Sequence, residues 1–192
     1  MMRFRVAPVT REPGPIFLLS GPPGAGKSTL ARALMQRFTH GLHIPVDDLR
    51  EWVVAGIAHP VPVWTDETTR QFQLARRAAS QTARIYAEAG FAVAIDDVIF
   101  AADARRMYEP HLSGLTLHRV LLLPSAEVAL ERNATRTTKN FDTQVLTEPI
   151  RQIHRELARQ GAELEQWLVL DTSALSVADT VAQILAWAGH GP

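Results

Sequence analysis

The sequence predicts a three-layer α/β domain, a five-stranded parallel sheet flanked by helices. Short apolar runs alternate with helical stretches along the whole chain. The runs are continuous rather than alternating, as in strands buried on both faces. Polar clusters follow directly after these runs, at the edge where open parallel sheets gather their functional groups.

The elements follow in order. Residues 1–15 are polar and broken by prolines, and read as an N-terminal extension. Ile16-Phe17-Leu18-Leu19-Ser20 is the first strand, and Gly21–Gly26 a turn rich in glycine and proline. A helix follows with Leu30, Ala33, Leu34, Arg37 and Phe38 spaced for one face. Leu42–Val46 reads as the second strand, and Asp47-Asp48-Leu49-Arg50-Glu51-Trp52 as an acid-capped helix start. Two prolines exclude helix from residues 58–65. A long helix runs from Asp66 to Ala89 with a stripe of small residues, Ala75, Ala79 and Ala83, suited to close approach to a sheet. Phe91–Asp96 and His118–Leu123 are strands three and four, and 125–135 and Thr147–Gly161 helices. Trp167–Leu170 is the fifth strand, and Val177, Val181, Ile184 and Leu185 mark a last helix. At 192 residues this is one domain rather than two.

Composition narrows the function classes. Twenty basic residues balance twenty acidic ones, so no duplex nucleic-acid partner is expected. With no cysteine, disulfides, thiolate metal sites and cysteine nucleophiles are excluded. No apolar run reaches the roughly 18–20 residues of a membrane span, and no signal-peptide core opens the chain. A cytoplasmic protein without a membrane partner is the expectation.

The sharpest motif is Gly21-Pro22-Pro23-Gly24-Ala25-Gly26-Lys27-Ser28, which fits G-x-x-x-x-G-K-[ST] at every fixed position. Glycines let the loop curl so that its N–H groups converge on phosphate oxygens, and the helix that follows adds its positive end. This predicts a P-loop NTPase fold binding ATP and Mg²⁺, with Lys27 on the terminal phosphates and Ser28 on the metal. Thr29 and Thr172 are further candidate nucleotide contacts. No Asn-Lys-x-Asp guanine-reading motif follows a strand, which favours ATP over GTP.

Carboxylates stand at two other strand ends. Asp47 is the candidate proton acceptor, with Asp48 nearer the helix cap, although aspartate at this position also serves as a plain N-cap. Asp96-Asp97 ends an apolar strand; Asp96 is the candidate for Mg²⁺, directly or through water, with Asp97 the alternative and a turn role open to both. Arg132, Arg136 and Lys139 lie at spacings of four and three, with Arg132 and Arg136 the candidate lid arginines over a triphosphate in segment 132–146. They also suit the negative end of a helix. Trp52, Trp64, Phe100 and Tyr108 are candidates for an acceptor pocket or for packing. The seven histidines show no metal-ligand spacing and read as surface or capping residues.

Three segments carry a resemblance: Gly21–Ser28 with Thr29, Val46-Asp47-Asp48-Leu49, and Ala94-Ile95-Asp96-Asp97-Val98-Ile99-Phe100. With them the sequence resembles the P-loop kinase superfamily and, within it, the chloramphenicol phosphotransferase family, which has a similar I-D-D-V segment. Leu121–Asn140, with Ala129-Leu130-Glu131-Arg132 and residues 135–140, is similar to tunicamycin-resistance P-loop proteins. The resemblance implies a nucleotide- or small-molecule-kinase-like fold with Asp47 as the base toward a primary hydroxyl. The expected activity is ATP-dependent transfer of a γ-phosphoryl group to a hydroxyl of a small molecule, antibiotic-like or metabolite. A nucleotide-switched regulatory protein with slow hydrolysis and a nucleoside or nucleotide kinase are the alternatives. Compactness favours the kinases.

Overall fold

In the computed structural model, which describes residues 12–135 and 143–190, the sheet contains five parallel strands in the order β2-β3-β1-β4-β5. The strands are β1 (Ile16–Ser20), β2 (Gly41–Pro45), β3 (Ala92–Asp96), β4 (Leu117–Leu122) and β5 (Trp167–Leu170). The helices are α1 (Lys27–Met35), α2 (Val46–Glu51), α3 (Asp66–Glu88), α4 (Ala101–Met107), α5 (Glu109–Leu112), α6 (Ala126–Ala134), α7 (Thr147–Ala158) and α8 (Val177–Trp187). From β1 the chain runs out to β2 at one edge, returns to β3, then crosses to β4 on the other side of β1. That reversal sits at the carboxyl end of β1, where such sheets open a ligand crevice.

Every residue of β1 and β3 is buried, as two-sided strands require. Alternation divides their side chains between two cores. Ile16, Leu18, Val93 and Ile95 pack toward α3, with Tyr108, Leu112 and Leu157. Phe17, Leu19, Ala92 and Ala94 pack toward α1 and α8, against Leu30, Leu34, Val181 and Ile184. The small stripe of α3 is fully used: Ala75, Ala79, Ala83 and Ala87 are all buried against the sheet. Thr65 and Thr68 begin this helix with a reciprocal capping box.

Two expectations change. Val46 opens α2 instead of closing β2, so Asp47 and Asp48 occupy the helix's first turn and Pro45 holds the N-cap position. Neither aspartate is the cap. Helices α4 and α5 fill a stretch that periodicity does not assign, because elements of seven and four residues are shorter than the window that reveals a repeat. Among the described residues, no helix is long and apolar enough to cross a membrane.

Ala79 is fully buried between α3 and the sheet, so there is no room for a larger side chain. Ala79→Leu should lower the free energy of unfolding by about 1–3 kcal/mol. Urea denaturation measures this, and an unchanged midpoint would show that α3 stands off the sheet at Ala79.

Candidate functional site

The loop between β1 and α1 is shaped by its glycines. Gly24 has φ 83, and a Cβ there would lie 2.1 Å from the carbonyl oxygen of Ala129. Gly26, at φ 92, is the N-cap position of α1, so the loop turns directly into the helix's positive end. Ala25 N donates to Pro22 O at 3.1 Å, closing the turn. Lys27 folds back over this loop and is almost fully buried. Its Nζ donates to Gly21 O at 2.9 Å and Pro22 O at 3.2 Å, two carbonyls that hold the ammonium at the loop's mouth.

Ser28 Oγ donates to Asp96 Oδ2 at 2.5 Å, joining the phosphate-loop motif to the end of β3. His43 Nε2 on β2 stands 3.4 Å from the same carboxylate oxygen, without the geometry of a hydrogen bond. Burial works to raise the pKa of Asp96, but His43, the charge of Lys27 and the Ser28 hydroxyl outweigh it and hold the group below its ordinary value. The carboxylate is kept ionised beside a serine hydroxyl, an all-oxygen pair suited to a hard cation.

Asp97 points the other way. It accepts Arg76 Nε at 2.7 Å, the Tyr108 hydroxyl at 2.9 Å and the Val98 N–H at 2.8 Å. Burial opposes the charge of Arg76, yet the Asp97 carboxylate outweighs it and raises its pKa. Burial and the same carboxylate push the Tyr108 hydroxyl well above its ordinary value. Asp97 is thus a structural anion satisfied from three sides. Arg76 also donates through Nη2 to Val98 O at 3.1 Å and lies over the Phe72 ring, which Arg50 covers at 3.9 Å.

Two cavities flank the phosphate loop. The smaller, about 60 Å³, is lined by Pro23, Lys27, Ser28, Asp47, Asp48 and Asp96 among others. It brings Asp47 and Asp96 to one opening with Lys27 and Ser28. The larger, about 220 Å³, lies on the opposite side of the loop, between Ala25, Gly26, Thr29 and Leu30 and the residues after β5, Thr172, Leu175 and Val177. Arg132 joins it there, with Nη2 donating to Thr172 O at 2.9 Å. Arg136 and Lys139 lie outside the described residues, as do residues 136–142 of the candidate lid.

Of the two readings given for the aromatics, Tyr108, Phe100 and Trp64 take the packing one. Tyr108 is fully buried in the core and bonded to Asp97, so it lines no acceptor pocket. Trp64 stacks on Phe72 with centroids 5.0 Å apart, Trp52 is exposed, and Phe100 packs against the α3-side core. His43 is neither a surface nor a capping residue, since it faces Asp96. Sequence reasoning passed over Arg76 as well. Its one signal was a charge set beside Ala75 and Ala79 on a helix face of small residues.

A sequence profile described as an AAA domain matches residues 16–160. The chain belongs to this AAA domain family. Among solved structures, the tunicamycin resistance protein of Deinococcus radiodurans is similar at 21% identity, over 93% of this chain and 99% of that one, with a TM-score of 0.64. A gluconokinase from Sinorhizobium meliloti is similar at 21% identity, over 93% of each chain, with a TM-score of 0.62. A shikimate kinase from Acinetobacter baumannii in complex with shikimate is similar at 17% identity, over 92% of this chain and 93% of that one, again with a TM-score of 0.62. A search of curated proteins finds no match. The AAA domain here therefore has the kinase-like P-loop fold that the sequence predicts.

The Arg76–Asp97 pair is buried on both sides. Removing one partner strands the other charge, so Arg76→Met should cost about 3–5 kcal/mol of stability in chemical denaturation. A loss below 1 kcal/mol would mean that solvent reaches Asp97.

Proposed function

We propose that this protein is an ATP-dependent phosphotransferase that moves a γ-phosphoryl group to a hydroxyl of a small molecule. The observation that carries the reading is the shared cavity of Lys27, Ser28, Asp96 and Asp47. Lys27 and the curled loop suit the phosphates, and Ser28 with Asp96 suits Mg²⁺. Among the described residues no group of three or more His, Asp or Glu side chains stands ready for a metal. Two oxygen ligands completed by phosphate oxygens and water are what Mg²⁺ accepts. When bound, the ion neutralises charge on the phosphates.

Asp47 is exposed at the opening, in the first turn of α2, with no share in the Ser28–Asp96 pair. From there it orients an acceptor hydroxyl toward the phosphate and takes its proton as the loose transition state passes. Arg132, held by Thr172 O, belongs to the nucleotide side of the loop. Similarity to a gluconokinase and to a shikimate kinase holding shikimate supports a small hydroxylated acceptor. Similarity to a tunicamycin resistance protein supports an antibiotic-like one. Both classes belong in the same phosphoryl-transfer screen.

In that screen, Asp47→Asn should keep ATP affinity while single-turnover transfer falls by roughly 10²–10⁴. Asp48→Asn should keep ATP affinity and lower transfer far less than Asp47→Asn, since Asp48, which lines the same opening, is given no proton to take. Lys27→Ala should lose both nucleotide binding and turnover while the protein stays folded. Normal transfer by Asp47→Asn would remove it from the role of base, and ATP binding by Lys27→Ala at wild-type affinity would remove the phosphate loop from the reading.

A further inference from the structure

His43 occupies a position of β2 that packs beneath α1. It pairs with Ala94 across the parallel β2–β3 register, while Pro45, two residues on, pairs with Asp96. Paired residues of neighbouring strands face the same way, so His43 shares the face of Ala94 and Asp96. The imidazole reaches diagonally across that face to the carboxylate. Both side chains are largely buried, His43 at 11% exposure and Asp96 at 7%.

The protein does not satisfy this imidazole. Its Nε2 is buried, has no hydrogen-bond partner among the described residues and stands 3.4 Å from Asp96 Oδ2. A bare ring nitrogen turned to a carboxylate would set lone pair against lone pair, so Nε2 carries the proton. An unpaired buried donor costs free energy. Closing on Oδ2 by about 0.4 Å gives an ordinary N–H···O separation, and Nε2 has no other bond to give up.

We propose that His43 is a positioning residue for the metal: its Nε2–H closes on Asp96 Oδ2 and holds that carboxylate turned toward the cation it shares with Ser28. The inference rests on the metal-binding part of the function proposed above. Asp96 Oδ2 accepts the Ser28 hydroxyl, and these two side chains are the pair suited to Mg²⁺. Lys27 bears on Asp96 through its charge, while its Nζ donates to Gly21 O and Pro22 O. His43 comes from the other side, on a neighbouring strand, and acts on the cation through Asp96. Carboxylates that bind a metal are themselves held by such donors, and losing the donor weakens the metal.

The test measures binding of Mn²⁺, a spectroscopic substitute for Mg²⁺, to the ADP-loaded protein by electron paramagnetic resonance. Wild type, His43→Gln and His43→Leu are compared, with ADP affinity in excess chelator and thermal unfolding of each ligand-free protein recorded alongside. Glutamine keeps an N–H donor at similar reach, and leucine deletes it. His43→Leu should bind Mn²⁺ about 10–100-fold more weakly, bind metal-free ADP unchanged, and unfold at the same or a higher temperature. His43→Gln should keep most of the Mn²⁺ affinity. Wild-type Mn²⁺ affinity in His43→Leu would overturn the proposal. So would a matching loss of metal-free ADP affinity, since the residue would then act through the phosphate loop. A His43→Gln as weak as His43→Leu, or a His43→Leu that unfolds well below wild type, would overturn it too, because the ring would then be serving the fold. A wild-type ADP complex that takes up no Mn²⁺ would instead overturn the metal site of the function proposed above.

Discussion

The end of β1 holds two segments in place at once, and the chemistry of the molecule depends on that. Leu19 is in register with Asp96 across the parallel β1–β3 pair, and Leu19 O accepts the Asp97 N–H at 3.1 Å. One residue on, the buried Ser20 Oγ donates to Ile99 O at 2.6 Å and accepts the Ile99 N–H at 3.1 Å. The chain leaving β3 is thereby fastened to the strand from which the phosphate loop emerges. Neither can shift without breaking buried hydrogen bonds, each of which leaves an unsatisfied group behind. The Ser28–Asp96 contact is a consequence of that fastening.

Two adjacent aspartates acquire opposite duties from the same geometry. Successive side chains of an extended strand face opposite ways. Asp96 shares the parity of Ala92 and Ala94 and turns to the face covered by α1, where Ser28 and Lys27 lie. Asp97 continues the parity of Val93 and Ile95 toward α3, where Arg76 and Tyr108 meet it. The first carboxylate has a hydroxyl and a histidine close by and still borders an open cavity. The second spends its hydrogen bonds inside the protein. Rigidity on the α3 face supports the precise placement of the group on the α1 face.

The two cavities divide the same loop by chemistry. On the side of α2 the walls are acidic and small in volume, suited to metal, phosphate and an acceptor hydroxyl. On the side of α8 they are mostly aliphatic, with Arg132 and the threonines Thr29, Thr172 and Thr180 as the polar exceptions. This division is consistent with the nucleoside triphosphate of the proposed function, whose charged end would lie on the acidic side.

The sequence by itself determined whatever rests on neighbours in the chain. The run Gly21–Ser28, flanked by an apolar strand and a helix, encodes its own turn, because a glycine φ and a helix N-terminus are local properties. The five strands were legible for the same reason, as short runs dominated by apolar residues and bounded by turn residues, although His43 interrupts the second and His118 and Arg119 the fourth. Tertiary structure alone decided the contacts that span long stretches of chain: His43 with Asp96, Arg76 with Asp97, Arg132 with Thr172. Tyr108 shows the limit most clearly. As a sequence position it was an aromatic in a loop, and in the fold it is a buried donor to Asp97. Such partners are set by strand order and by which helix covers which face, and those depend on packing across the whole sheet rather than on any local pattern.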